Sequence, residues 1–310
     1  MAIAGLEKGI TAELVTVTDA VKVYGRHKVL QDISLIIKQG ECTALVGKNG
    51  SGKSTLLRML AGLIRPTTGI RQAREGRLVT GYVPERFPPF TFTPWEFLLS
   101  AAAIRGMEKR AAGQELTDFM NQLGMENFMH VKMTQFSKGM LQKINLIQAL
   151  MGAPDLLLLD EPLSGLDIKA QETLLRLLAA LKRSGTAVVM SVHESTLIEQ
   201  IADRVLLMKN GRIIKETSET ALAASSVTRI VFRGIDPGTA QGLSRLSEAT
   251  DYAAAEGIYE LEVWSDATDI MLRRILDSGG SIVMVNPQEG MDILLKDGLN
   301  GLLNAAKGDR

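Results

Sequence analysis

The apolar positions along residues 13–215 alternate between the spacing of buried strands and the spacing of helices. Runs that are apolar apart from at most one terminal residue, typical of strands buried on both faces of a parallel sheet, occur at residues 43–46, 156–159 and 187–191. Apolar residues recur at helical spacing after Lys53 and again from Ile168 to Arg183. Strands that alternate with helices in this way predict an α/β fold built on a parallel sheet.

The segments on either side of these runs show the alternation of half-buried strands. Valines between Glu13 and Tyr24 predict a pair of strands, and a further strand is predicted by Ile33, Leu35 and Ile37. A helix-to-strand passage covers residues 199–208, and Asn210-Gly211 is typical of a tight turn into the next strand.

Residues 86–152 interrupt the core with a long helical segment. A loop rich in Pro and Phe covers residues 86–93, and helical periodicity follows, with breaks, from Pro94 to about Met151. We therefore expect a helical subdomain inserted between strands of the core.

A change of composition at residues 217–226, which are rich in Ala, Ser and Thr, predicts a domain boundary. The predicted division is a tail at 1–12, a main domain at 13–216 and an accessory domain at 217–310. Within the accessory domain we expect strands at 229–232, 258–263 and 282–285, a helix at 266–278, and a final amphipathic helix. Its apolar face (Met291, Leu294, Leu295, Leu299, Leu302 and Leu303) favours packing on its own domain or on a second copy over contact with a membrane.

Composition restricts the classes of function. The 310 residues suffice for two domains. Lys plus Arg and Asp plus Glu number 35 each, and a net charge of zero argues against a general nucleic-acid binder. The single cysteine, Cys42, indicates a reducing compartment. No apolar run approaches the roughly 18 residues that span a bilayer, and Glu7 and Lys8 interrupt the N-terminus too early for a secretion signal.

The first candidate site is the loop after the first buried run. Its sequence fits the pattern Gly, four residues, Gly-Lys-Ser/Thr, between a strand and a helix. Glycines let successive backbone N–H groups turn toward a triphosphate, and the helix N-terminus adds further donors. We expect Lys53 to reach the β- and γ-phosphates and Ser54 to ligate Mg²⁺, whereas Asn49 stands at a variable position. The predicted contacts span Gly47, Asn49, Gly50, Ser51, Gly52, Lys53, Ser54 and Thr55.

A second polar site follows the apolar run at residues 156–159. Asp160 and Glu161 come at the carboxyl end of that predicted strand, the edge at which open α/β sheets bind ligands. We expect Asp160 to hold Mg²⁺, directly or through water, opposite Ser54, and Glu161 to orient or deprotonate an attacking water. Alone, such a pair is typical of a solvated turn, and the phosphate loop favours the catalytic interpretation.

Two further residues stand near strand ends. Tyr24 ends a predicted strand, and its ring is either a surface side chain or a platform on which a nucleotide base stacks. His193 follows the run at residues 187–191 and is a candidate to hydrogen-bond a phosphate oxygen or the attacking water. The alternative for His193, considered alone, is a purely structural role. We assign that structural role to His27 and His130.

A third motif distinguishes among P-loop proteins. Phe136-Ser137-Lys138-Gly139-Met140, at the start of a predicted helix, resembles the LSGGQ signature of ATP-binding cassette (ABC) proteins. The family's other motifs follow in order over residues 12–215: Tyr24 as the adenine-stacking aromatic, Glu85 at the glutamine-loop position, Asp167 in the D-loop and His193 as the switch histidine. The resemblance implies an α/β P-loop NTPase (RecA-like) cassette with its helical subdomain at about 86–152, plus the small C-terminal α+β domain.

The resemblance also implies an assembly. Two copies, or this chain and a paralogous cassette, would stack head to tail. Each ATP, with its Mg²⁺, would lie between one copy's phosphate loop and the other's Ser137, Lys138, Gly139 and Met140. Lys53, Glu161 and His193 would act in hydrolysis, and the metal contacts would be Ser54, Glu85 and Asp160.

By the same resemblance, hydrolysis would open the pair and drive a separate transmembrane permease, contacted near Glu85 and Trp95. The chain would then be cytoplasmic and peripheral on the inner face of the cell membrane, with no nucleic acid as partner. The FSKGM variant is similar to the ATPase subunits of ABC-2 type exporters, which tend to carry a small C-terminal domain. Glu85 replaces the usual Gln, and an ionised carboxylate accepts but cannot donate hydrogen bonds.

An exporter ATPase is therefore our main hypothesis, and an importer subunit stays open because cassette motifs do not encode direction. The alternative from another class is a soluble ABC-type switch that acts on ribosomes or nucleic acid. The single cassette and the zero net charge argue against it. A non-hydrolysing scaffold is disfavoured by the intact Lys53, Asp160, Glu161 and His193.

Overall fold

The computed structural model describes residues 12–192, 195–218, 227–246, 249–255, 257–264 and 267–288. The chain divides into two compact units between Glu216 and Thr217. The described strands of the first unit are β1 (Glu13–Tyr24), β2 (His27–Lys38), β3 (Cys42–Val46), β4 (Thr68–Ala73), β5 (Thr80–Val83), β6 (Leu156–Asp160), β7 (Ala187–Ser191), β8 (Arg204–Lys209) and β9 (Arg212–Ser218). Its described helices are α1 (Lys53–Leu60), α2 (Pro94–Ile104), α3 (Lys109–Gln122), α4 (Lys138–Leu150), α5 (Ile168–Arg183) and α6 (Ser195–Ile201).

The main sheet of the first unit has the strand order β5-β6-β7-β3-β8-β9. The pairings from β5 to β8 are parallel. Every residue of β3, β6 and β7 is buried, so the apolar runs correctly predicted central strands. Since parallel strands end at the same edge, the loops after β3, β6 and β7 lie at one edge of the sheet.

Helix α1 packs on this sheet and is amphipathic as predicted. Leu56, Leu57 and Leu60 are fully buried in a core that they share with residues of β6 and β7. Asn210 and Gly211 form the turn between β8 and β9, and both have the positive φ angles that such a turn requires, 49° and 78°. The predicted tight turn is confirmed.

A separate antiparallel sheet has the order β2-β1-β4. The pair of strands predicted between Glu13 and Tyr24 is wrong, because this segment is one strand. Its register with β2 shifts between Val17 and Ala20, where Asp19 has a φ of 47°. Ser34 Oγ accepts a hydrogen bond from Asp19 N at 2.9 Å and donates to Asp19 Oδ1 at 3.0 Å. A β-bulge therefore accommodates the polar break without ending the strand.

Residues 94–150 form the expected helical insert, α2 to α4, around a core of their own. Thr93 is the N-cap of α2 and forms a capping box with Glu96. Thr93 Oγ1 accepts a hydrogen bond from Glu96 N, and Glu96 Oε2 accepts one from Thr93 N. Phe87 and Phe90, in the preceding loop, contact Phe97 of α2 at ring-centroid distances of 5.5 and 5.4 Å. These rings join the loop after β5 to the insert.

The second unit is α+β. Its described elements are β10 (Val227–Arg233), α7 (Pro237–Ser244), β11 (Ala249–Ala255), β12 (Ile258–Trp264), α8 (Thr268–Asp277) and β13 (Ser281–Gln288). The strands pair antiparallel in the order β11-β12-β10-β13, and Phe232, Leu261 and Met271 lie in the core. The final helix predicted around residues 291–303 lies outside the described residues. In the described part of the chain, no helix has both the length and the apolar character needed to cross a membrane.

Candidate nucleotide site

A cavity of about 310 Å³ opens at the carboxyl edge of the main sheet, beside the loop that joins β3 to α1. It brings together residues predicted from three separate stretches of the sequence. The lining consists of Val29, Asn49, Gly50, Gly52, Lys53, Ser54, Thr55, Glu85 and Glu161. The phosphate loop, the segment after β5 and the carboxylate after β6 therefore share one site.

Two glycines of the loop are required by close backbone contacts. A Cβ on Gly47 would lie 2.3 Å from the carbonyl oxygen of Met208. A Cβ on Gly52, whose φ is 105°, would lie 2.9 Å from the carbonyl oxygen of Val29. Any side chain at either position would displace β8 or β2, so the path of the loop depends on glycine.

The backbone N–H groups at the start of α1 donate no hydrogen bond to a side-chain cap. Gly52 is the N-cap of α1 and has no side chain to accept from the first-turn N–H groups. The hydroxyl of Ser51, which follows Gly50 in the loop, is buried without a hydrogen-bond partner in the described structure. Unsatisfied donors at the positive end of a helix dipole match the oxygens of a phosphate chain. The loop therefore fits a phosphate ligand.

Lys53 stands at the centre of the site and is buried, with 6% of its surface exposed. Its Nζ donates to the carbonyl oxygens of Gly47 at 2.5 Å and Lys48 at 3.3 Å. Burial lowers the pKa of the Lys53 ammonium, and the carboxylates of Glu161, Asp160 and Glu85 act in the opposite direction. All three predicted carboxylates are thus close enough to influence this ammonium.

The Asp160 carboxylate and the backbone of Glu161 are held by a residue that the sequence did not identify. Ser191, the last residue of β7, pairs with Asp160 in the parallel register. Its Oγ donates to Asp160 Oδ1 at 2.7 Å and accepts from Glu161 N at 3.0 Å. The sequence signal that could have identified Ser191 is a polar residue that ends an otherwise apolar strand.

The side-chain oxygen atoms at this edge of the sheet are suitable ligands for a hard divalent cation. Mg²⁺ prefers carboxylate, hydroxyl, water and phosphate oxygens. Ser54 lies in the first turn of α1, and Asp160 is buried at the end of β6. Together with Glu85, these are the side chains that would hold Mg²⁺ beside a bound triphosphate.

The predicted signature Ser137–Met140 forms the N-terminus of α4, outside the lining of this cavity. Ser137 is the N-cap, and its Oγ accepts from Met140 N at 3.3 Å. Lys138 Nζ donates to Ser164 Oγ at 2.8 Å. A Cβ on Gly139 would lie 2.3 Å from the carbonyl oxygen of Gly165. The start of α4 is therefore fixed against the segment that follows Glu161.

Three amides along α4, at a spacing of three residues, form a further connection that the sequence analysis missed. Gln142 Nε2 donates to Pro162 O at 3.3 Å, and Asn145 Nδ2 donates to Pro84 O at 2.9 Å. Gln148 Nε2 donates to Tyr82 O at 2.8 Å. Polar residues at this spacing on a largely buried helix were the available signal. Through them, α4 holds the segments that carry Glu85 and Glu161.

Of the two candidates near strand ends, the structure describes Tyr24 but not His193. Tyr24 ends β1 with 46% of its surface exposed, and Lys22 Nζ lies 5.1 Å from the centroid of its ring. The described residues that line the cavity do not include Tyr24. His193 lies outside the described residues, so its predicted role stays a prediction.

Comparisons with known proteins agree with this geometry. The family model described as "ABC transporter" matches residues 30–164. The "Uncharacterized ABC transporter ATP-binding protein YxlF" of Bacillus subtilis (strain 168) is 35% identical, over 64% of this chain and 69% of the relative. "Nod factor export ATP-binding protein I" of Burkholderia orbicola (strain AU 1054) is 32% identical, over 76% of this chain and 81% of the relative. "Zinc import ATP-binding protein ZnuC" of Halorhodospira halophila (strain DSM 244 / SL1) is 34% identical, over 64% of this chain and 75% of the relative.

Solved structures show the same fold. The "Structure of ATP binding subunit of ABC transporter" matches with a TM-score of 0.64 and 29% identity, over 67% of this chain and 91% of the other. A cassette solved as a dimer in "a post-hydrolysis state", with ADP and Pi bound, matches with a TM-score of 0.61 at 24% identity, over 66% of this chain and 99% of the other. This second likeness concerns the fold alone. The chain belongs to the ABC transporter family, of which it is an ATP-binding, ATP-hydrolysing subunit.

Proposed function

We propose that this chain powers an exporter, by hydrolysing ATP at a dimer interface and passing the resulting movement to a separate transmembrane permease. The observation that carries the proposal is one shared cavity. Lys53 and Ser54 of the phosphate loop line it together with Glu85 and Glu161. Phosphoryl transfer depends mainly on positioning and on neutralising charge, and this set of residues supplies both.

Each residue has a distinct part in the proposed reaction. The loop N–H groups and Lys53 bind the β- and γ-phosphates. Ser54, Asp160 and Glu85 would hold Mg²⁺, which would neutralise the charge that develops on the phosphates during transfer. Glu161, at the end of β6, orients the attacking water and accepts its proton. His193 hydrogen-bonds the γ-phosphate or that water.

The signature residues act on a second copy. Ser137–Met140 form the N-terminus of α4 and lie outside the cavity lining of their own chain. In a head-to-tail pair, their N–H groups and the ammonium of Lys138 face the γ-phosphate held by the partner. Hydrolysis detaches the γ-phosphate as inorganic phosphate, and its departure removes the charge that bridges the two copies, so the pair opens. The hydrogen bonds from α4 to Pro84 and Pro162 favour movement of α4 together with both carboxylate segments.

Two observations favour export. Of the exporter and importer relatives above, the Nod factor export protein aligns with 76% of this chain and the zinc import protein with 64%. The chain also has the FSKGM signature and an additional C-terminal unit, the two features on which the resemblance to ABC-2 type exporter subunits rests. The permease would be contacted near Glu85 and the aromatic loop that precedes α2, and it would hold this chain at the inner face of the membrane.

The experiment is capture of the ATP-bound pair. Glu161→Gln removes the proton acceptor and keeps the shape of the side chain, so hydrolysis should stop while ATP binding persists. The variant is expressed in its native cells, the membranes are solubilised gently with ATP present, and the proteins that co-purify are identified. We expect a polytopic membrane protein in stoichiometric amounts.

Two controls give the result its meaning. Glu172→Gln makes the same chemical change at an exposed position of α5 outside the cavity lining, and it should hydrolyse ATP normally and trap no pair. Glu161→Gln combined with Lys53→Ala should lose the permease, because the pair needs bound ATP. Recovery of ribosomes or only soluble partners with Glu161→Gln would overturn the proposal.

A further inference from the structure

Ser191 is the polar exception in a strand that is otherwise apolar. The other residues of β7 are Ala187, Val188, Val189 and Met190, and all of β7 is buried. Ser191 has no exposed surface. A hydroxyl at such a depth destabilises the fold unless its hydrogen bonds are made, and here both partners belong to the candidate site.

The Ser191 hydroxyl acts both as a hydrogen-bond donor and as a hydrogen-bond acceptor. Its single proton goes to Asp160 Oδ1 at 2.7 Å, and a lone pair accepts from Glu161 N at 3.0 Å. The first bond fixes the orientation of a carboxylate that is only 4% exposed. The second satisfies the backbone of Glu161, whose φ of 49° lies in the left-handed region that non-glycine residues rarely occupy.

The register of the sheet explains why one side chain reaches both groups. Asp160 and Ser191 are directly paired on adjacent parallel strands, so their side chains lie on the same face of the sheet. Glu161 follows Asp160 where the chain leaves β6, which brings its N–H to the same hydroxyl. Cysteine is a weak hydrogen-bonding group, and alanine or valine offers none.

We propose that Ser191 is a positioning residue: it holds the Asp160 carboxylate for the metal and sets the backbone from which Glu161 projects. The inference rests on the proposed function, in which these two residues serve Mg²⁺ and the attacking water. Ser191 is not among the described residues that line the cavity, and it acts through the two carboxylate residues. Groups that orient metal ligands in this way typically change metal affinity or activity by about 10- to 100-fold when removed.

The test measures metal binding directly. Mn²⁺ serves as a spectroscopic substitute for Mg²⁺, and its affinity is determined by electron paramagnetic resonance in the presence of a non-hydrolysable ATP analogue. We expect Ser191→Ala to weaken Mn²⁺ binding about 10-fold, and to raise the Mg²⁺ concentration for half-maximal ATPase activity. Affinity for the nucleotide without metal should change little, because the phosphate loop is intact.

Thr186→Val is the matched control. Thr186 is buried next to the start of β7, and its hydroxyl donates to Pro154 O at 2.8 Å, away from the carboxylates. This control should lower thermal stability without altering Mn²⁺ affinity. If Ser191→Ala does not fold, Ser191→Cys fills the site with a slightly larger group that forms weaker hydrogen bonds, and it provides the same test.

Mn²⁺ affinity within about twofold of wild type in Ser191→Ala would overturn the inference, as would an equal loss in Thr186→Val. Failure of the proposed function is a separate outcome. It would be the recovery of ribosomes or only soluble partners with Glu161→Gln, and the Mn²⁺ titration would still decide the role of Ser191.

Discussion

Lys143 and Asp167 form an ion pair that joins α4 to the start of α5, with Lys143 Nζ 3.0 Å from Asp167 Oδ2. The other carboxylate oxygen, Oδ1, accepts from Ala170 N at 2.9 Å, so Asp167 is also the N-cap of α5. The backbone bond from Ala170 and then the bond from Lys143 lower the pKa of Asp167 below its ordinary value. One carboxylate thus starts a helix of the core and binds the helix that carries the signature residues.

We predict a pH-dependent contribution of Asp167 to stability. Because its folded-state pKa is lowered, the contribution is complete above the unfolded-state value of about 3.9 and is lost as the pH falls through the lower folded-state value. Asp167→Asn keeps a cap but cannot ionise. The difference in melting temperature between wild type and Asp167→Asn should therefore be constant near neutral pH and shrink below about pH 4. Asp167→Ala also loses the cap and should cost about 1 kcal/mol at neutral pH.

We predict opposite effects of adding one methyl group at two helical glycines. Gly139→Ala places a Cβ 2.3 Å from Gly165 O, so α4 must shift away from the segment after Glu161. This overpacking should cost about 1–3 kcal/mol and should reduce ATPase activity. Gly113→Ala in α3 meets only Trp95 at 3.5 Å, an ordinary contact, and should stabilise by about 0.5–1 kcal/mol. Urea unfolding measures both, and a stabilised Gly139→Ala variant would contradict the packing argument.

The sequence predicted elements wherever burial on both faces leaves a local signature. Strands β3, β6 and β7 are largely apolar because both of their faces are covered. Strand β4 was missed because it is largely exposed, and Ile70 within it has 63% of its surface accessible. Helix α7 was missed because it contains two glycines. Its N-cap is Asp236, whose Oδ1 accepts a hydrogen bond from Thr239 N at 3.0 Å.

The same distinction applies to the site. The phosphate loop is contiguous in the sequence, so its glycines, Lys53 and Ser54 were predicted together. Ser191 and the amides of α4 depend on partners far away in the sequence, such as Ser191 with Asp160 and Asn145 with Pro84. Strand register and helix packing create these contacts, and neither can be determined from residue types alone.

We predict that Cys42 is chemically inert in the folded chain. It lies in β3 with no exposed surface, and burial raises the pKa of its thiol to about 12. The thiolate is the reactive form. At about pH 8, near the thiol's unperturbed pKa, Ellman's reagent should label the native protein at least about a hundredfold more slowly than the urea-unfolded protein. Rapid stoichiometric labelling of the native form would show that β3 is more accessible than its burial indicates.

We predict that Glu85→Gln has opposite effects on nucleotide and metal. Glu85 and Glu161 line the same cavity, and both carboxylates act on Lys53. Removing one negative charge from the wall should strengthen binding of metal-free ATP, about two- to threefold at low salt, because partly exposed charges interact weakly. Because Glu85 is a Mg²⁺ contact in the proposed site, the amide should weaken metal binding to the nucleotide complex.

The two effects are separated by measuring the affinity for ATP with excess chelator and the affinity for Mn²⁺ with nucleotide bound. Glu172→Gln, an exposed substitution in α5 outside the cavity lining, controls for the change in net charge and should alter neither. Tighter ATP binding with unchanged Mn²⁺ affinity would exclude Glu85 as a metal contact while keeping its electrostatic role. Unchanged affinity for both would mean that the carboxylate at this position, where the family usually has Gln, does not influence the bound nucleotide.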